Sequence, residues 1–269
     1  MEAVVLLAGV VDPKWRLDGL ALRPGTALVE ETGLPRRLSP FDEAALETAL
    51  KLRDADPTVR VTAVLVGGPA NNALLRAIAA FRPHRVFRFG GVALSLWDPL
   101  AAVRLLGAAA AAAVERPDLV LMGREFGDGD DGALPPALAE AQGWRFCGLA
   151  HAVSLAEDGA VTLRRVRGPR EEVLRLRPPV LASITNDRGN RLRHPLLKNV
   201  MLAKREPIEV VAPPPDAPAA APALALRDIA VVPPPTRGAG ACRFLTGPVE
   251  AQVEELAAFL RRWRAAVGG

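Results

Sequence analysis

The chain reads as an α/β protein: a mostly parallel, doubly wound sheet with an antiparallel meander, an extended C-terminal arm and a terminal helix. Three observations predict this. Short β-branched runs alternate with segments of helical periodicity, a pattern that favours parallel strands covered by helices on both faces. A group of alternating apolar and polar runs in the second half is broken by Asp158-Gly159 and Gly168-Pro169. Composition then changes abruptly at Val211, where a proline- and alanine-rich stretch begins.

The elements follow in order. Residues 4–11 form an apolar run without a basic flank, ending in Asp12-Pro13, and predict a buried strand rather than a leader peptide. Residues 59–66, 85–89, 119–122 and 180–185 predict further buried strands. Between them, 40–53, 72–81, 99–114 and 135–142 carry helical patterns. The alanine tract at 108–113 has Arg104 and Glu115 close by, so it is a helix interior and no membrane span is expected. Residues 153–155, 161–166 and 171–176 make the meander. The predicted organisation is a nucleotide-binding-like α/β domain over 1–211, a proline-rich arm over 212–247 and an amphipathic helix over 248–269. The arm has little to bury by itself. In the helix Val249, Val253, Leu256, Leu260, Trp263 and Val267 recur at helical spacing, so a partner surface is expected.

With 34 basic and 30 acidic residues and 4% aromatics, the net charge of +4 does not read as a nucleic-acid stripe. Cys147 and Cys242 have no metal-ligand spacing; two thiols in 269 residues predict a reducing, cytoplasmic setting without a disulfide. His84, His151 and His194 lack a carboxylate or nucleophile at motif spacing, and no catalytic residues are expected.

Three loops at strand ends are the binding candidates, because doubly wound sheets take ligands in that crevice. In Ser39-Pro40-Phe41-Asp42-Glu43 the serine suits an N-cap, the proline the first helical position and Asp42 a capping acid. Gly67-Gly68-Pro69 precedes a helix, where glycine admits a close backbone approach and helix amides meet an anion. The third is Gly123-Arg124-Glu125-Phe126-Gly127-Asp128-Gly129-Asp130-Asp131-Gly132-Ala133. Its acids do not make an EF-hand, since the twelfth-position glutamate and the paired helices are missing, and no metal is expected. Separately, residues 188–209 follow an apolar strand yet are too basic and interrupted for core. An apolar tip inside a ring of arginine and lysine reads as a docking surface.

These segments resemble the electron transfer flavoprotein β subunit. Asn190, Arg193, Leu197, Met201, Ala203 and Lys204 fall in register with that family's recognition loop, and the third loop, with the Leu138-Ala139-Glu140 to Gly143-Trp144 ending after it, is similar to its nucleotide loop. Asp12-Pro13, Asp98-Pro99 and residues 231–240 of the arm follow collinearly. The resemblance implies an adenine-nucleotide α-hydrolase-like sheet. It implies a heterodimer with an α subunit that holds most of the FAD, carrying electrons from dehydrogenases to a quinone-linked oxidoreductase. It implies cofactor contacts at Leu6, Ser39, Pro40, Phe41, Asp42, Gly67 and Glu125 through Ala133, and partner contacts at Arg193, Leu196, Leu197 and Met201. AMP, or a second FAD in the electron-bifurcating branch, would occupy the β-subunit site. Four positions of the nucleotide loops depart from the pattern, at Ser39, Glu125, Asp131 and Ala133, and three of the recognition loop do, Leu192, His194 and Lys198 standing where the family has Pro, Tyr and Pro. Asp131 replaces a threonine that would donate to phosphate, so nucleotide binding is expected to be weakened. A diverged non-redox subunit with a decayed site is the alternative.

Overall fold

The computed structural model describes residues 1–15, 21–22, 29–31, 33–90, 98–128, 130–213 and 244–267. Strand β1 (Glu2–Val11) is buried along nearly its whole length and runs through the middle of the sheet. Its side chains alternate between two cores: Ala3, Val5 and Leu7 on one face, Val4, Leu6 and Ala8 on the other. The first core is closed by α1 (Pro40–Ala55) and α2 (Asn72–Ala79). The second is closed by α3 (Pro99–Ala113) and α4 (Leu134–Gln142).

Around β1 lie β2 (Arg36–Leu38), β3 (Arg60–Val66), β4 (Arg85–Phe89), β5 (Leu119–Gly123), β6 (Arg145–Leu155), β7 (Val161–Arg167), β8 (Arg170–Leu176), β9 (Val180–Ile184) and β10 (Val210–Val211). The order is β10-β4-β3-β1-β5-β9-β6-β7-β8, with β2 antiparallel to the end of β1. Pairings from β10 through β6 are parallel; β6-β7 and β7-β8 are antiparallel. The predicted α/β class, its parallel strands and its meander are all present.

Three differences from the sequence reading have physical reasons. β6 starts at Arg145, ahead of the expected 153, and its first residues pair with β9. β2 and β10 carry little apolar pattern of their own and exist because an open strand edge lies beside them. Part of the expected basic loop is helical: α5 (Leu197–Ala203) packs Ala203 and Val200 against Ala79 and Ala80.

Residues 1–229 form one compact unit and 230–269 another. In the second, α6 (Val249–Val267) leaves Val249, Val253, Leu256, Leu260, Trp263 and Val267 exposed. Residues 214–243 of the predicted arm, including 231–240, lie outside the described residues.

Candidate functional site

The chain passes from β1 through α1 to β3 on one side, and from β4 through α3 to β5 on the other. β1 and β5 are therefore the neighbours between which the winding reverses, the position where such sheets open a crevice. Their pairing ends at Val5 and Leu121, although β1 continues to Val11.

The start of α1 borders this crevice. Ser39 is extended, as an N-cap must be, and its Oγ accepts the Asp42 N–H at 3.1 Å. Asp42 is fully buried; its Oδ2 accepts the Ala8 N–H at 3.3 Å, while Oδ1 has no partner. Burial pushes this carboxyl up to about 8, and the hydrogen bonds from Ala8 and Ser39 only partly oppose it. Phe41 lies under the Arg124 guanidinium, 4.7 Å from the ring centre, and Arg124 also pairs with Glu125 at 2.8 Å. Gly123 permits this close seam, because a Cβ there would stand 2.8 Å from Phe41 Cβ and 2.9 Å from Glu125 O. In the second loop Gly67 has φ +138°, open to glycine, and Asn71 fills the space where a side chain would stand.

The third loop is wound around Asp130. Its Oδ2 accepts the Phe126 N–H at 2.9 Å, and Oδ1 accepts those of Gly132, Ala133 and Leu134 at 3.0, 2.8 and 3.1 Å. Asp128 and Asp131 face solvent. Partial burial and the nearby Glu31 push Asp128 above the ordinary carboxylate value, with Arg36 pulling against them. Gly127 and Gly132 take positive φ, and Gly129 lies outside the described residues.

The second candidate surface is a strap from β9 to β10, across the α1 and α2 side of the sheet. Asn190 is buried and donates to His151 O at 2.8 Å. Arg193 turns inward: its side chain meets Glu47 Oε1 and Oε2 at 2.9–3.2 Å, its N–H meets Glu47 Oε2 at 3.1 Å, and it also pairs with Asp54. Beyond it Leu196, Leu197, Met201 and Leu202 stand exposed, Leu197 at 77%. Lys198, Lys204 and Arg205 surround them, also exposed.

The electron transfer flavoprotein domain model matches residues 26–216. The chain is 32% identical over 216 residues to the "Electron transfer flavoprotein subunit beta, mitochondrial" of Oryza sativa subsp. indica, covering 79% of this chain and 82% of that one. It is 30% identical over 183 residues to the "Electron transfer flavoprotein subunit beta" of Bradyrhizobium diazoefficiens (67% and 70%). The mouse protein of that name is 31% identical over 215 residues (78% and 81%). The chain belongs to the electron transfer flavoprotein β-subunit family.

The expected nucleotide contacts meet an obstacle at the third loop, whose residues fit a phosphate group poorly. The first turn of α4 offers no amide: Ala133 and Leu134 donate to Asp130, Pro135 and Pro136 have no N–H, and Ala137 donates to Ala133 O. The exposed carboxylates of Asp128 and Asp131 repel an anion as well. Two other expectations narrow. Leu6 and Phe126 are fully buried in the second core, so their side chains serve packing, and any ligand contact falls to their peptide groups. Arg193 holds its own chain, while Leu196, Leu197 and Met201 face outward.

Sequence reasoning passed over Glu47, Lys51 and Asp54, which hold the strap from α1. Their signal is three charged residues four and three apart on a helix whose neighbouring positions are buried. Asn71, buried beside Gly67, left no motif at all. Among the described residues no helix is long and apolar enough to cross a membrane.

Proposed function

We propose that this chain is the β subunit of a heterodimer whose α subunit holds most of the FAD, and that the pair carries electrons from a dehydrogenase to a quinone-linked oxidoreductase. The observation that carries the reading is the strap: an exposed Leu196, Leu197 and Met201 tip inside a basic rim, fastened at Arg193. Burying one aliphatic side chain of this size contributes about 1.5–3 kcal/mol, which suits a partner that must let go after each transfer. The subunit supplies binding and orientation, and the flavin supplies the redox chemistry. Arg193 remains a candidate partner contact through the part of its side chain left at the surface, and a cytoplasmic location belongs to the same proposal.

The crevice argues for one FAD per heterodimer. AMP would find few donors there, and the pyrophosphate of a second FAD would meet the same proline-blocked helix end and the same acids. The other proposed cofactor contacts, at Ser39, Pro40, Phe41, Asp42, Gly67 and the third loop, retain a role toward an adenosine portion. Co-expression with the α subunit, followed by a visible spectrum and a flavin count, tests the proposal. One FAD per heterodimer, reduced by a dehydrogenase, is expected. A stable heterodimer without flavin would overturn the redox role in favour of a diverged scaffolding subunit.

A further inference from the structure

The docking tip does not hold itself. α5 has seven residues and no side-chain N-cap, and its packing on Ala79 and Ala80 rests on Val200 and Ala203, towards its C-terminal end, so little in the helix itself holds Leu197 at its start. What holds the strap just ahead of Leu197 is α1. Glu47 is 5% exposed in the middle of that helix, surrounded by Ala44, Ala45, Leu46, Ala49 and Leu50 of the core, an expensive place for a carboxylate without a partner. Arg193 supplies the partner through both its guanidinium and its peptide N–H, and takes Asp54, two turns further along, with the remaining arm of the fork. The pairing raises the Arg193 pKa, with the Glu47 hydrogen bond as its main cause, so the guanidinium stays charged. Lys51, between the two acids, holds Gly189 O and Asn190 Oδ1, which fixes the strap just before the clamp.

We infer that Glu47 is a positioning residue for partner docking: itself buried, it holds Arg193 so that Leu197, four residues on, stands in one place. The inference rests on the docking role proposed above. A preorganised tip binds without the cost of ordering a loop. If releasing the clamp leaves the docking-ready conformer populated about one time in ten, apparent affinity falls about tenfold while the docked interface itself stays the same.

The test uses the flavin-loaded heterodimer and a dehydrogenase that reduces it. Glu47→Gln keeps the side-chain shape and removes its charge. With flavin content unchanged, the heterodimer's KM is expected to rise about tenfold while kcat holds, and amide hydrogen exchange over 188–204 is expected to quicken. In a Leu197→Ala background the same substitution should leave KM where Leu197→Ala put it, because no anchor is left to position. Equal rises in both backgrounds would overturn the inference by showing that Glu47 acts through surface charge, and so would unchanged exchange with unchanged KM. If Leu197→Ala alone leaves KM unaltered, the docking reading itself falls and takes this role with it. Should Glu47→Gln fail to fold, Arg193→Lys keeps the charge yet cannot span Glu47 and Asp54 together. It should then reproduce, in reduced degree, both the KM rise and the quickened exchange over 188–204, and unchanged exchange would overturn the inference.

Discussion

Asp42 and Asp130 are both buried aspartates beside the crevice, and they do opposite things. Asp130 spends its oxygens on four backbone amides, which makes the third loop one folded unit. Removing that acceptor leaves several donors unsatisfied, and Asp130→Ala should lower stability by about 3 kcal/mol or more. A fall in the urea midpoint at unchanged slope would show it. Asp42 has one hydrogen-bonded oxygen and one orphan, and its carboxyl titrates near 8 in the folded chain against an ordinary 3.8. Between those values the folded chain keeps a proton that the unfolded chain has released. Stability is therefore fully present below about pH 4 and lost as pH rises through about 8. Asp42→Asn has no such titration, so its Tm should gain on the native protein's as pH goes from about 5 to 9. A constant difference across that range would refute the assignment. Neither role was visible in the sequence. Asp42 reads as a capping acid because its partner Ala8 belongs to a distant strand, and Asp130 as one of three loop aspartates because the sequence does not say which of them turns inward onto the neighbouring amides.

Elements show the same division between local and long-range information. The central strands and four helices were legible, since each carries its own apolar period and the helix over 40–55 also carries its cap. β2 and β10 were not, because three and two residues have no period and are defined by the neighbour they pair with. α5 hid because its apolar residues Leu197, Met201 and Leu202 stay exposed while only Val200 and Ala203 pack inward. The three loops mark the crevice in the sequence, whereas the loss of phosphate donors at α4 depends on Asp130 accepting from the amides that the prolines leave. A carboxylate about 4–5 Å from a phosphate repels it by roughly 3–4 kcal/mol at an effective dielectric near 20. Equilibrium dialysis without added metal should thus find AMP binding weaker than micromolar. Asp131→Thr should recover on the order of 100-fold, short of a full site, because α4 still lacks free amides. Micromolar affinity in the native protein would contradict this account.

Taken whole, the molecule carries a net charge of +4 with basic residues around its exposed apolar tip. Opposite charge on a partner speeds encounter and is screened within about 10 Å at 0.1 M salt. Raising ionic strength from about 0.05 to 0.5 M should lower kcat/KM for a dehydrogenase severalfold, and Leu197→Ala should leave that salt slope unaltered. A salt-independent rate would mean that the basic rim takes no part in encounter.

The strap leaves the sheet at β9 and rejoins it at β10, on the far side of β1. Its return is secured at a few points: Arg88 N–H to Glu209 O at 2.9 Å, Gly90 N–H to Val211 O at 3.1 Å, ion pairs from Arg82 to Glu206 and Arg85 to Glu209, and the partly buried Ile208 and Val211 against the two cores. Any tension on the chain beyond Val211 is borne first by this two-residue latch. Under load it should open before the central strands do, slackening the tip from behind while Arg193 still grips it from the front.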